Sequence, residues 1–135
     1  MSTELRAVDI SVRPRWRRTG YRYFPYAARE SGQWWVLRAN YCFPEHDLVT
    51  LFVDGRAVGD ITAAESDARP LVAGIAGLDP MLPLRKPDIP AMETGNAESA
   101  IATVAAYVCH GSEFDPPDVC DLCESSERDP YERGA

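Results

Sequence analysis

Leu48-Val49-Thr50-Leu51-Phe52-Val53-Asp54-Gly55-Arg56-Ala57-Val58-Gly59-Asp60-Ile61-Thr62 is the stretch that decides the fold of this 135-residue chain. Leu48 to Val53 and Arg56 to Thr62 are apolar-rich runs of strand length, and Asp54-Gly55 separates them. Asp-Gly is a preferred central pair for the type I′ turn, which needs positive φ at both positions. Aspartate tolerates that conformation and glycine adopts it without a Cβ penalty. The stretch predicts a tight hairpin, and with it an antiparallel sheet.

Upstream, the aromatic-rich runs Tyr21 to Ala28 and Gln33 to Asn40 flank Arg29-Glu30-Ser31-Gly32, a four-residue loop suited to a second hairpin. In the later run Trp35, Leu37 and Ala39 share one face and are the expected core side. Trp34, Val36 and Arg38 share the other face. Pro25 has no backbone donor, which predicts a sheet edge or a bulge in its strand. Val8 to Val12 alternates apolar and polar like a half-buried strand. Residues 8–62 therefore read as four to five antiparallel strands.

Downstream, Pro80, Pro83, Pro87 and Pro90 exclude a regular helix or central strand. That stretch reads as a proline-rich strap across the domain, or as a linker. Asn96 is a suitable N-cap, and Glu98 is expected to place negative charge in a first helical turn. Ala97, Ala100, Ile101, Val104, Ala105 and Val108 form an apolar stripe at helical spacing, and Gly111 suits the helix end. The expected architecture is α+β: one amphipathic helix over 96–110 packed on the sheet, within a single domain spanning 1–112. Residues 113–135 hold eight acids, two arginines and three prolines, the composition of an acidic C-terminal tail.

Composition narrows the function classes. Hydrophobic residues at 45% and charged residues at 26% exclude wholesale disorder. The longest uncharged apolar run, Leu71 to Leu78, is eight residues, against about 20 for a membrane helix. The first residues show no signal-peptide pattern, so a cytoplasmic, reducing compartment is the expectation. The net charge of −7 is polarised, with +5 over residues 1–40 and −12 over residues 41–135.

Cys120-Asp121-Leu122-Cys123 brings two thiols within one turn, the bite of structural zinc sites and redox dithiols. Asp118, Asp121 and Glu124 nearby oppose thiolate formation, which argues against redox activity. A zinc site would need Cys42 and Cys109 as well, with His46 or His110 as substitutes, and would tie the tail back to the sheet. The set lacks a second tight ligand pair, so free thiols are the plainer reading, with structural zinc the alternative and a disulfide the third. No other cofactor is implied.

No catalytic constellation emerges. The zinc-deaminase pattern fails at His110 to Glu113, where the glutamate is one residue too far from the histidine. Cys109 and His110 are adjacent and point apart, and H-E-x-x-H, G-x-S-x-G and Gly-rich phosphate loops are missing from the sequence. Binding is the better expectation. Nine of the thirteen aromatic residues fall between positions 16 and 43, and Arg13, Arg15, Arg17, Arg18 and Arg22 interleave with the first of them. Tyr, Trp and Arg dominate binding hot spots. The candidate binding residues are Arg15, Trp16, Arg17, Arg18, Tyr21, Tyr23 and Trp34. The first expectation is a non-enzymatic protein-binding module, of the inhibitor or immunity type, whose acidic tail suits a basic partner. The alternative is a single-stranded nucleic-acid binder that uses arginine for phosphates and exposed rings for bases.

Overall fold

A computed structural model describes residues 13–39, 49–61, 89–108, 111–112, 118–119 and 129–133. Its centre is a five-stranded antiparallel sheet in simple sequential order. The strands are β1 (Arg17–Arg18), β2 (Tyr26–Glu30), β3 (Gln33–Ala39), β4 (Val49–Val53) and β5 (Arg56–Ile61). One helix, α1 (Thr94–Ala102), is followed by a single 3₁₀ turn over Ala105–Tyr107. A separate two-stranded ladder joins β6 (Gly111–Ser112) to β7 (Asp118–Val119). The fold class is α+β.

Both hairpin turns adopt positive φ at both central residues. Asp54 and Gly55 have φ of 48° and 80°, as Asp-Gly predicts. Ser31 and Gly32 have φ of 51° and 77°, so the first hairpin closes on two residues. The expected four-residue loop is shorter because Arg29 and Glu30 continue the ladder opposite Trp34 and Gln33. The Asp54 carboxylate adds a cross-link, accepting the Trp34 N–H at 3.1 Å, while Asp54 N–H donates to the Trp34 carbonyl at 2.9 Å.

Pro25 does not mark an edge. It is buried just before β2, which pairs with β1 on one side and β3 on the other. The Pro25 carbonyl accepts the Thr19 N–H at 3.0 Å. The register irregularity lies instead in β5, where Leu51 faces Gly59 and Phe52 faces Ala57, leaving Val58 as the extra residue. That bulge puts Val58 on the same side of the sheet as Gly59, the partner of Leu51, so Val58 joins the Leu51 cluster while Ala57 packs on the other face.

The sheet is buried on both faces, which corrects the expectation of one core side in β3. Trp35 and Leu37 join Trp16, Tyr26, Leu51 and Val53 in one cluster. On the other face Val36 and Phe52 pack with Phe24, Ala27 and the α1 residues Ala97, Ala100 and Ile101. Arg38, assigned by alternation to the wet face, is fully buried. The small residues on α1 let it lie close to the sheet, and the arginine beside them is enclosed as a result.

The helix differs from the expected 96–110. It begins at Thr94 after Glu93, with no side-chain cap, so Asn96 lies inside the first turn and Glu98 beyond it. It ends at Ala102 because its carbonyl groups find other partners. The Thr103 hydroxyl donates to the Ala100 carbonyl at 2.7 Å, and the Thr103 and Val104 N–H groups shift to i−3 bonds with Ala100 and Ile101. Gly111, expected as the helix stop, is in β6.

The first sheet strand is Arg17–Arg18, in a region that carried no strand signal. The strand expected at Val8 to Val12 lies outside the described residues, as do most of the proline-rich strap and most of the tail. Where the strap's far end is described, it runs beside β1. Arg18 N–H donates to the Pro90 carbonyl, Met92 N–H donates to the Arg18 carbonyl, and Arg18 bridges Ala91 in parallel. No helix among the described residues is long and apolar enough to cross a membrane.

Candidate functional site

Three groups of side chains carry chemistry. The first is a polar rung inside the sheet. Arg38, Thr50 and Asp60 occupy successive cross-strand positions on β3, β4 and β5, so they share the face beneath α1. An Arg38 N–H donates to the Thr50 hydroxyl at 3.2 Å, and that hydroxyl donates to Asp60 Oδ1 at 2.7 Å. The hydroxyl thus links cation to carboxylate, as a group that both accepts and donates can. Arg38 also donates to the Tyr107 carbonyl at 3.1 Å and sits 5.4 Å from the Phe52 ring centroid. Its contacts join three strands to the segment after α1, and they make it a structural key rather than a surface for a ligand.

The second group lies at the Ser31–Gly32 end of the β2–β3 hairpin. Register places Arg29 beside Trp34 at that end and Arg17 beside Ala27, near the other end of β2, all on the helix side of the sheet. The exposed Arg29 guanidinium lies 4.8 Å from the half-buried Trp34 ring centroid. A cation over an indole face is attractive and holds both groups ready for a partner.

The third group is at the opposite end of β2. Tyr21, buried to 4% exposure, bridges Arg133 in antiparallel fashion. Tyr131 meets the Tyr21 ring edge-on at 5.7 Å, and the Arg133 guanidinium lies 4.4 Å from its centroid. Arg22 N–H donates to the Glu132 carbonyl at 2.7 Å, and the Arg22 guanidinium pairs with the Glu132 carboxylate at 3.1 Å. Each of these contacts is worth about 1 kcal/mol or less.

The seven candidate binding residues fare differently. Arg15 is exposed, and its N–H donates to Glu30 Oε2 at 3.0 Å. Arg17 is half-buried and donates to the Trp16 carbonyl; Arg18 is half-buried and donates to the Ile89 carbonyl. Trp16 and Tyr23 are core residues at 5% and 3% exposure, and Tyr21, at 4%, is covered by Tyr131 and Arg133, so none of the three holds an open ring face for a stacked base. Trp34 keeps an accessible side. Cys42, Cys109, Cys120 and Cys123 lie outside the described residues, and no metal-ligand cluster occurs among the described ones.

Sequence reasoning missed the Arg38 rung and the Tyr131–Arg133 contact. The rung had one usable signal, an arginine and a threonine within otherwise apolar strands. The tail contact had none, since Arg22 and Glu132 are 110 positions apart. No protein-family model, curated protein or solved structure matches the chain.

Proposed function

We propose that this chain is a small, non-enzymatic protein-binding module, of the inhibitor or immunity type, acting in the cytoplasm. The observation that carries this reading is the Arg29–Trp34 pair, with Arg17 on the same side of the sheet. Arginine and tryptophan held together at an accessible sheet end have the composition of a hot spot. The expectation of a basic partner rested on tail residues, most of which lie outside the described ones. The described surface is cationic there and fits an acidic patch on the partner. Burial of Trp16, Tyr21 and Tyr23 favours this reading over a single-stranded nucleic-acid platform.

Capture from native lysate at low salt tests it. The wild type is expected to retain one protein stoichiometrically. With that protein in hand, Trp34→Ala should weaken binding by roughly 30-fold, the equivalent of a hot-spot loss of about 2 kcal/mol. Arg29→Glu should weaken it further and reduce its salt dependence. Retention of nothing, or equal binding by both variants, would refute the proposal. A filter-binding titration with single-stranded DNA and RNA at two salt concentrations reads the alternative, which requires steeply salt-dependent binding.

A further inference from the structure

The Thr19–Tyr23 loop is built without help from the C-terminal segment it touches. The Thr19 hydroxyl donates to the Phe24 carbonyl and accepts the Tyr21 N–H, and the Thr19 N–H bonds to the Pro25 carbonyl. Gly20 turns the chain at φ +83°, and the Tyr23 carbonyl is tied to the Ala39 N–H. The loop is therefore a formed surface in its own right. It presents the N–H of Arg22, the Arg22 guanidinium and the Tyr21 ring to residues 131–133.

Residues 129–133 are equally self-contained. Asp129 Oδ1 accepts the Tyr131 N–H at 2.9 Å, and the Asp129 carbonyl accepts the Glu132 N–H at 3.0 Å. Pro130 occupies the turn position that favours its fixed φ. The result is a compact Asp-Pro-Tyr-Glu turn that presents one ring, one carbonyl and one carboxylate to the loop. Each meets its complement: Tyr131 meets Tyr21, the Glu132 carbonyl meets the Arg22 N–H, and the Glu132 carboxylate meets the Arg22 guanidinium. Tyr131 remains 40% exposed, and the ion pair is exposed on both sides, so the turn lies on the surface rather than in the core.

A preformed loop and a preformed turn that meet only at the surface make a receptor with its ligand. We propose that the Thr19–Tyr23 loop is a recognition site for an Asp-Pro-aromatic-acid turn on another polypeptide, and that residues 129–133 occupy it in cis until displaced. Arg22 selects the acid, Tyr21 the aromatic, and the Arg22 N–H holds the backbone between them. Gly20 leaves room for the residue that follows: a Cβ there would come within 2.7 Å of an Arg133 guanidinium nitrogen. The site lies at the far end of β2 from Arg29 and Trp34, so it stands or falls separately from the function proposed above.

The test is an amide-resolved NMR titration of the full chain with a synthetic peptide of residues 127–135. In the chain carrying Tyr131→Ala and Glu132→Ala, the peptide should shift the Gly20 and Arg22 amide signals saturably at millimolar concentration or below. The wild type should need about tenfold more peptide if its own turn fills the site nine-tenths of the time. Adding Arg22→Glu to the double variant should abolish the shifts. No shift in the double variant, or equal affinity in double variant and wild type, would overturn the proposal. Hydrogen exchange in the wild type gives a second reading that needs no variant. The Arg22 amide should exchange at least a hundredfold faster than those of Val36 and Leu51, and equal protection would make the segment a fixed strut.

Discussion

Arg38→Met is expected to destabilise the fold by about 2–4 kcal/mol, the cost of removing a fully buried arginine from the hydrogen-bond acceptors it serves beside a half-buried carboxylate. The methionine fills much of the volume, so the loss comes from the groups left behind. Thr50 Oγ1 loses the Arg38 N–H, the Tyr107 carbonyl loses the Arg38 guanidinium, and the chain from Arg38 through Thr50 to Asp60 is broken at its cationic end. Urea unfolding should show the midpoint falling with an unchanged slope, since the area exposed on unfolding stays much the same. Thr50→Val should cost less, about 1–2 kcal/mol, because it breaks the link and leaves both charges in place. Converting the rung to an apolar one with Arg38→Met and Asp60→Leu together should recover part of the loss, since buried ion networks are often replaceable as a unit. A double variant as unstable as the sum of its parts would mean that the rung residues act independently.

Gly55→Ala is expected to cost about 2–5 kcal/mol, from two separate penalties. Gly55 has φ +80°, where an alanine costs about 1–2 kcal/mol. A Cβ at this position would also lie 2.6 Å from the Thr103 backbone carbonyl oxygen, at the C-terminal end of α1. That contact can be relieved only by moving the hairpin away from the helix, an overpacking cost of about 1–3 kcal/mol. Gly32 provides the control, with φ +77° and nothing within 4 Å of its Cβ position. Gly32→Ala should therefore cost about 1–2 kcal/mol, the backbone penalty without the collision. Thermal unfolding of the two variants side by side isolates the helix contact. Equal shifts would mean that the hairpin and α1 are not pressed together at Gly55.

The two hairpins were legible because their causes are local. Asp54-Gly55 needs positive φ wherever it occurs, and the apolar runs beside it supply strands that bury side chains on pairing. The helix was legible as an apolar stripe, yet its ends were not. Asn96 is a good cap in isolation, but the chain enters α1 from the contact with β1 at residues 90–92, and that approach starts the helix at Thr94. At the far end Gly111 is a plausible stop. The helix finishes earlier because Thr103 bonds back to Ala100, and because Arg38 takes the Tyr107 carbonyl into the sheet.

The candidate binding residues show the same division. Clustering of arginine and aromatics between residues 13 and 34 is legible in the sequence, but composition does not say which way a ring points. Trp16, Tyr21 and Tyr23 turned inward because Phe24, Ala27 and α1 give one side of the sheet a core, while Tyr26, Trp35 and Leu37 give the other side its own. Only the end of the β2–β3 hairpin leaves an arginine and a tryptophan accessible together.

What the sequence determined by itself is the antiparallel hairpin architecture, since turn chemistry and strand periodicity act over a few residues and need no distant partner. Tertiary structure decided which faces are buried, where the helix stops, and that residues 129–133 lie on Tyr21 and Arg22. Each of these depends on contacts between residues far apart in the chain, whose energies exist only once the sheet has formed. Arg38 is the plainest case. Alternation along β3 puts it opposite the aliphatic face, and only the arrival of α1 and the Thr50–Asp60 pair makes that position a buried one.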